Sequence, residues 1–288
     1  MNNDTEVYYT FSKRLEILWE RLFFKIPFQF PPLRKRDQEV FRVPVPTISI
    51  GNLSMGGVGK TPFIIWLLER LDGIKVAVLH SGYKGGDEAK MLAAKFPKAF
   101  IWSNPKRHLG LEAAYQWGAE LILIDDGFQC RRLHRDLDIV VLDASQKLAN
   151  QRTLPFGRLR ESPKALLRAD LIIANHIESR EQAILEIRNY SDAPVLCMRP
   201  VLEKITGSNA AVFCGLGNPK HFLNLIRAQG VLIKVCLLAL DHEKPNTKTW
   251  KRFLDACERH QISQILCTEK DAARVSGLTP VPMKLEVF

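Results

Sequence analysis

The stretch GNLSMGGVGKTP at residues 51–62 indicates a phosphate-binding loop. The backbone N–H groups of a glycine-rich turn, together with the positive end of the following helix, can bind phosphate oxygens. Lys60 would add a positive charge there, and the Thr61 hydroxyl would supply a ligand to Mg²⁺. The predicted nucleotide-binding residues are Ser54, Met55, Gly56, Gly57, Val58, Gly59, Lys60 and Thr61.

Two residues of this stretch depart from the usual motif. Ser54 stands where the first glycine is expected, and Pro62 follows Thr61 directly. A serine fits that position if its φ is negative, and a proline fits the first turn of a helix because its missing N–H has no partner there. The stretch therefore still predicts a nucleotide loop, and an incidental glycine-rich turn is the alternative.

Carboxylates follow two of the predicted strands. Asp125 and Asp126 end the apolar run LILI, and either could hold Mg²⁺ opposite Thr61, because ligands of open α/β sheets bind at the carboxyl ends of strands. The alternative is an aspartate turn without a metal. Asp87 stands at the start of an apparent helix that follows the predicted strand 75–79, so it could cap that helix or accept a proton from an attacking hydroxyl.

Two further segments carry candidate catalytic residues. In LPFGRLRESP, Glu161 could orient Arg160 as a phosphate clamp, or the segment could be a solvated loop. In LALDHEKP, His242 follows Asp241 after an apolar run, which makes it a candidate for an acid–base or orienting role.

Short apolar runs alternate with helical segments along most of the chain. This pattern predicts an α/β protein with a P-loop NTPase-type, mostly parallel sheet that is covered by helices on both faces, and a smaller C-terminal α/β lobe. The predicted parts are an N-terminal amphipathic segment 1–42, a kinase-like domain 43–200 and a C-terminal lobe 201–288. The predicted strands lie at 46–50, 75–79, 99–102, 121–125, 138–143, 171–175, 194–198, 211–215, 235–240 and 264–268.

Charge and composition restrict the class of protein further. The net charge of +10 over 288 residues favours an anionic partner. Residues 8–25 have the spacing of an amphipathic helix, which either lies in a membrane interface or packs on its own domain. No apolar run is long enough to span a bilayer, and the acidic N-terminus argues against export. The scattered cysteines indicate a reducing compartment, and four of them are predicted to be buried, namely Cys197, Cys214, Cys236 and Cys267.

Together these segments resemble the tetraacyldisaccharide 4′-kinase family, the lipid A 4′-kinases of Gram-negative bacteria. The resemblance rests on GNLSMGGVGKTP, GDE, DDGFQCRRLHRDLDIVVLDA, LPFGRLRESP, GLGNP, DH and TEKDA, which occur in the family's order from residue 49 to residue 273. It implies transfer of the ATP γ-phosphate to the 4′-hydroxyl of an acylated glucosamine disaccharide 1-phosphate, with Mg²⁺. It also implies a peripheral position on the cytoplasmic face of the inner membrane, whose surface is anionic.

The resemblance also assigns roles to residues. It implies that Asp87 is the catalytic base, paired with His242, and that Lys60 and Thr61 are the loop lysine and threonine. It places the strand-end aspartates at Asp125 and Asp126, and the Arg-Glu pair at Arg160 and Glu161. Under this resemblance the N-terminal helix is expected to lie on the membrane.

Two departures from the family pattern are visible. The family usually has Ser-Arg-Gly-Tyr and a basic insertion before GDE, whereas this chain runs from His80-Ser81-Gly82-Tyr83 almost directly into Gly86-Asp87-Glu88. A family motif similar to Asp-His-His is Asp-His-Glu here, so His242 would carry the imidazole role alone.

Two other classes of protein compete with a lipid kinase. One is a P-loop GTPase or ATPase switch, including metallochaperone-like proteins, although no Asn-Lys-x-Asp guanine motif is evident. The other is a nucleic-acid-binding ATPase, but no recognised nucleic-acid module accompanies the basic charge, so no nucleic acid is expected as a partner.

Overall fold

The computed structural model describes residues 40–82, 87–145, 147–177, 179–198, 204–215, 219–239, 245–275, 278 and 284–287. The amphipathic helix predicted over residues 8–25 lies outside this part of the chain. It therefore stays a prediction.

Seven parallel strands form the larger sheet. Their order is β3-β2-β4-β1-β5-β6-β7, and every neighbouring pair is parallel. All residues of β1, β2, β4 and β6 are buried, as expected for strands with both faces covered. The predicted mostly parallel sheet is confirmed. The strands are β1 (Thr47–Gly51), β2 (Val76–His80), β3 (Phe100–Ser103), β4 (Leu121–Asp125), β5 (Leu137–Asp143), β6 (Leu171–Asn175) and β7 (Val195–Cys197).

Helices connect these strands and bury their apolar sides against the sheet. For example, Leu111 and Ala114 of one helix pack with Ile122 and Ile124 of β4. None of the helices in the described residues is long and apolar enough to cross a membrane. The connecting helices are α1 (Lys60–Arg70), α2 (Asp87–Lys95), α3 (Arg107–Trp117) and α4 (Arg180–Arg188).

A second, four-stranded parallel sheet has the order β11-β10-β8-β9. Its core includes Phe213, whose ring meets that of Trp250 edge to face at 5.4 Å. Residues 40–288 group into one compact unit, and the domain boundary near residue 200 stays a prediction. The elements of this part are β8 (Asn209–Cys214), α5 (Pro219–Ala228), β9 (Leu232–Leu238), α6 (Thr247–Arg259), β10 (Gln264–Cys267), α7 (Glu269–Val275) and β11 (Lys284–Val287).

The prediction that all four strand cysteines are buried is wrong for two of them. Cys236 is exposed and Cys197 is only half-buried, whereas Cys214 and Cys267 are buried. The reason is the position of the strands. β9 lies at the edge of its sheet and alternates between exposed and half-buried residues, although its sequence is apolar except for Lys234.

The central strand β1 carries the phosphate loop and lies between β4 and β5. Ile50 of β1 pairs with Asp125 on one side and with Ile139 on the other. Because all strands of this sheet are parallel, their carboxyl ends meet at one edge. The loop after β1, the carboxylates after β4 and the residues that end β2 and β6 therefore come together there.

Candidate active site

The first half of the phosphate loop is fixed by the segment 158–160. Ser54 bridges to Leu159, the Met55 N–H donates to the carbonyl of Arg158 at 2.8 Å, and the Arg158 side chain donates back to the Met55 carbonyl at 2.9 Å. Ser54 is not among the described non-glycine residues with positive φ, and Pro62 lies in the first turn of α1. Both departures from the usual motif are therefore accommodated as predicted.

The second half of the loop is fixed from β6. Asn175, the last residue of β6, is buried and donates from Nδ2 to the carbonyl of Val58 at 2.9 Å. Gly59 has φ of 93° and ψ of 24°, and a Cβ atom at this residue would collide with Nδ2 of Asn175. A glycine is required at this position both by the left-handed backbone and by the close approach of Asn175.

Asp126 binds the two cations that the sequence singled out. Arg160 donates from Nη1 to both of its carboxylate oxygens at 2.7 and 2.8 Å, and Lys60 Nζ lies 3.5 Å from Oδ1. The backbone of Asp126 is left-handed, with φ of 55°, and its N–H donates to the carbonyl of Ile50 at 2.8 Å. Arg107 donates to the carbonyl of Asp126 at 3.0 Å. These contacts hold a lysine and an arginine together at the phosphate loop.

Asp125 is buried beside this cluster and contacts a histidine. Its Oδ2 accepts a hydrogen bond from Nδ1 of His80 at 2.9 Å. Burial raises the pKa of Asp125, but the hydrogen bond and charge of His80, with the charges of Lys60 and Arg107, outweigh it and lower the pKa below the ordinary value. Asp125 is therefore ionised at neutral pH.

The other oxygen of Asp125 fits a role as a metal ligand. Oδ1 is buried and has no hydrogen-bond partner within the described residues. A buried carboxylate oxygen without a donor is suited to a hard cation such as Mg²⁺. The described residues contain no cluster of three His, Cys, Asp or Glu side chains that could hold a metal alone. Ligands outside such a cluster, among them the Thr61 hydroxyl, would have to complete the coordination of Mg²⁺ here.

Glu161 does not bind Arg160 directly, contrary to the predicted clamp. It accepts hydrogen bonds from Arg131 at 2.9 Å and Arg168 at 2.8 Å. Gln129 links the two residues of the predicted pair, since Nε2 lies 3.3 Å from Glu161 and Oε1 lies 3.5 Å from Nη1 of Arg160. Burial raises the pKa of Glu161, but Arg168, Arg131 and Gln129 together lower it.

Comparison with known proteins identifies the family. The family model described as LpxK, tetraacyldisaccharide-1-P 4′-kinase, matches residues 32–287. The chain belongs to the tetraacyldisaccharide 4′-kinase family. It is 33% identical over 278 residues to the tetraacyldisaccharide 4′-kinase of Chlamydia abortus, covering 84% of this chain and 75% of the relative. It is 34% identical over 286 residues to the tetraacyldisaccharide 4′-kinase of a Jannaschia species, covering 88% of this chain and 86% of the relative.

A solved structure of the same family also matches. The structure of LpxK from Aquifex aeolicus in complex with ATP has a TM-score of 0.64 and 26% identity to this chain. The match covers 87% of this chain and 84% of the Aquifex chain. This similarity confirms the predicted fold class across most of the chain.

The part of the chain that the structure describes includes only the backbone of one of the two residues predicted to transfer the proton. Asp87 is the first residue of α2, after the second strand as predicted, but its side chain lies outside the described residues. His242 lies outside them altogether. Their pairing stays a prediction.

Three residues that lie at the site of this 4′-kinase family member were not predicted to be there from its sequence. Asn175 and His80 end β6 and β2, at the sheet edge where the strand-end rule had placed Asp125. The same rule, applied to every predicted strand and not only to those followed by carboxylates, would have found both. Arg107 begins α3 and carried no comparable signal.

Proposed function

We propose that the chain is an ATP-dependent kinase that transfers the γ-phosphate to the 4′-hydroxyl of a tetraacylated glucosamine disaccharide 1-phosphate, in lipid A biosynthesis. The observation that carries this proposal is the cluster at the phosphate loop, where Asp126 holds Lys60 and Arg160 together. Two cations placed there can stabilise the negative charge that develops on a transferred phosphoryl group. The membership of the chain in a family named for this kinase activity, and the ATP in its Aquifex relative, support the choice of acceptor and donor.

The residues of the loop bind and orient the nucleotide. The N–H groups after Met55 and at the start of α1 bind the β- and γ-phosphates, and Lys60 and Arg160 neutralise their charge. The acceptor oxygen attacks the γ-phosphorus as the bond from that phosphorus to the β–γ bridging oxygen breaks, and ADP leaves. Asp87 accepts the proton of the attacking hydroxyl, and His242 orients Asp87 and stabilises its charge.

Asp125 and Thr61 are the residues that would hold Mg²⁺. When bound, the ion would neutralise part of the negative charge on the phosphates. Asp125 is the stronger candidate of the two strand-end aspartates because Asp126 is already engaged by Arg160 and Lys60. The ionised state and free Oδ1 of Asp125 support the same choice.

A lipid acceptor is supported by exposed apolar side chains beside the loop. Phe156 is 83% exposed, and Leu154 and Met55 are 49% and 46% exposed. The exposed arginines Arg152 and Arg158 flank them. An apolar tip with a basic rim is suited to acyl chains below an anionic headgroup layer.

The decisive experiment measures the product. Purified protein is incubated with ATP, Mg²⁺ and the disaccharide 1-phosphate lipid, and mass spectrometry detects the bisphosphorylated lipid. Lys60→Ala and Asp87→Ala are expected to abolish transfer while leaving the fold intact, and Lys164→Ala, an exposed lysine, is the matched control. Full activity of Asp87→Ala would refute its role as base, and ATP hydrolysis that does not need the lipid would instead favour a nucleotide switch.

We also propose that the protein acts on the anionic cytoplasmic face of the inner membrane. The net charge of +10 and the amphipathic pattern of residues 8–25 support this. Replacing Leu15 and Leu22 of that pattern with serine is expected to weaken sedimentation with phosphatidylglycerol vesicles. Leu185→Ser, at an exposed leucine of α4, is the control, and equal binding by both variants would contradict the membrane role of the helix.

A further inference from the structure

His80 and Asp125 form a buried pair at the ends of neighbouring strands. β2 and β4 are parallel and Leu79 pairs with Ile124. The residues that follow them, His80 and Asp125, are therefore neighbours. His80 is 5% and Asp125 is 7% exposed, and Nδ1 of His80 lies 2.9 Å from Oδ2 of Asp125. The mechanism proposed above uses Asp125 but assigns nothing to His80.

The hydrogen bond fixes one oxygen of the carboxylate and leaves the other available. At 2.9 Å the two atoms are at hydrogen-bonding distance, and in such a bond an imidazole N–H at Nδ1 donates and the carboxylate oxygen Oδ2 accepts. Oδ1 of Asp125 and Nε2 of His80 are both buried and have no partner in the part of the chain that the structure describes. Carboxylates that bind a metal are commonly hydrogen-bonded by an outer residue, which fixes the direction of the metal ligand.

We propose that His80 is a positioning residue for Mg²⁺, which holds Asp125 through Oδ2 so that Oδ1 is directed to the ion that accompanies the nucleotide. The inference rests on the proposed metal role of Asp125.

The test separates the two ring nitrogens of His80. His80→Asn keeps an N–H donor near the position of Nδ1, His80→Gln moves it toward the position of Nε2, and His80→Ala removes both. ATP binding to each full-length variant is titrated with Mg²⁺ by calorimetry. The Mg²⁺ concentration at half-saturation is expected to rise about 10- to 100-fold in His80→Ala and His80→Gln. It is expected to stay near the original value in His80→Asn, and ATP binding in EDTA is expected to be equal in all variants.

A matched control lies at the opposite end of the sheet. His134 Nε2 also lies 2.9 Å from an aspartate, Asp136, which accepts the N–H of Thr47 at the start of β1. His134→Ala removes a similar pair far from the phosphate loop and is expected to leave the Mg²⁺ titration unchanged. A purely structural role of His80 would lower the unfolding temperature without moving that titration.

The outcomes distinguish this inference from the proposal on which it rests. An unchanged titration in Asp125→Asn would refute the metal role of Asp125 and the inference with it. A shift in Asp125→Asn with none in His80→Ala would overturn the inference alone. If His80→Ala does not fold, the comparison of His80→Asn with His80→Gln decides, and equal Mg²⁺ dependence of these two would overturn the role of Nδ1.

Discussion

Replacing Gly59 with alanine tests how tightly the phosphate loop is held against β6. Gly59 is left-handed, and an added Cβ would meet the side-chain nitrogen of Asn175. Asn175 cannot move aside freely, because it is only 2% exposed and its Nδ2 is bonded to the carbonyl of Val58. The substitution therefore imposes two separate penalties, one on the backbone and one on the contact.

The two penalties can be estimated from these contacts. An alanine in the left-handed region costs about 1–2 kcal/mol. Displacing Asn175 leaves the buried carbonyl of Val58 without its donor, which costs about 1–3 kcal/mol more. We expect Gly59→Ala to lower the free energy of unfolding by about 2–5 kcal/mol in total.

Urea unfolding measures the change, and Gly73→Ala is the matched control. Gly73 has φ of 87° but no atom within 4 Å of the position of an added Cβ, so that alanine should impose only the backbone penalty. ATP affinity, measured by calorimetry below the unfolding transition, is expected to fall in Gly59→Ala and not in Gly73→Ala.

A double-mutant cycle isolates the contact. In an Asn175→Ala background the collision is absent, so Gly59→Ala should then be no more destabilising than Gly73→Ala. The reasoning is refuted if Gly59→Ala is equally destabilising in both backgrounds, or if it already matches Gly73→Ala in the original chain.

Three further predictions concern the surface, acid stability and the thiols. Phe156→Ser is expected to raise the KM for the lipid acceptor without changing ATP affinity, unlike Leu185→Ser, and an unchanged KM would contradict contact between the loop tip and lipid. Burial raises the pKa of Asp143, but His176 and Ser145 lower it from 3.8 to about 2, so its contribution to stability is present above pH 3.8 and lost as the pH falls toward 2. Urea unfolding should therefore find Asp143→Asn less stable than the original chain by about 2 kcal/mol at pH 6, with a difference that vanishes near pH 2, and a constant difference would contradict this. Burial raises the pKa of Cys236, that of Cys257 to about 11 and that of Cys267 to about 12, so the exposure of the thiols decides which of them reacts first. Iodoacetamide near neutral pH should modify exposed Cys236 in the native protein and reach buried Cys257 and Cys267 only after unfolding, as peptide mass spectrometry would reveal.

Much of the fold was predictable because the chain repeats a simple pattern. Runs of β-branched and aliphatic residues separated by helical segments specify buried parallel strands, and nearly every such run is a strand. β11 (Lys284–Val287) was not predicted, since a four-residue run at the end of the chain has too little periodicity. The exposure of Cys236 was also not predictable, because strand order and not composition places β9 at an edge.

The glycine-rich loop and the strand-end aspartates were predictable from the sequence, whereas their pairings and the contacts of Asn175, His80 and Arg107 were not. The motif Gly59-Lys60-Thr61 and the strand-end rule located the phosphate loop and Asp125. The partner of Arg160 was mistaken, because the adjacent Glu161 is close in sequence whereas Asp126 comes near only when the loop 152–160 folds against the phosphate loop. Local sequence reveals which charges are available, and the three-dimensional course of the chain decides which of them meet.

The central position of β1 has a consequence for synthesis of the chain. β1 pairs with β4 and β5, which both come later in the sequence, beyond three helices and two other strands. During translation the phosphate loop therefore emerges long before the strands that fix it, and these non-local pairings are slow to form. ATP cannot guide the early folding of the N-terminal half, because the loop has no fixed shape to bind it. Bound nucleotide is therefore expected to stabilise the sheet only after residues 158–160 and Asn175 of β6 have joined it.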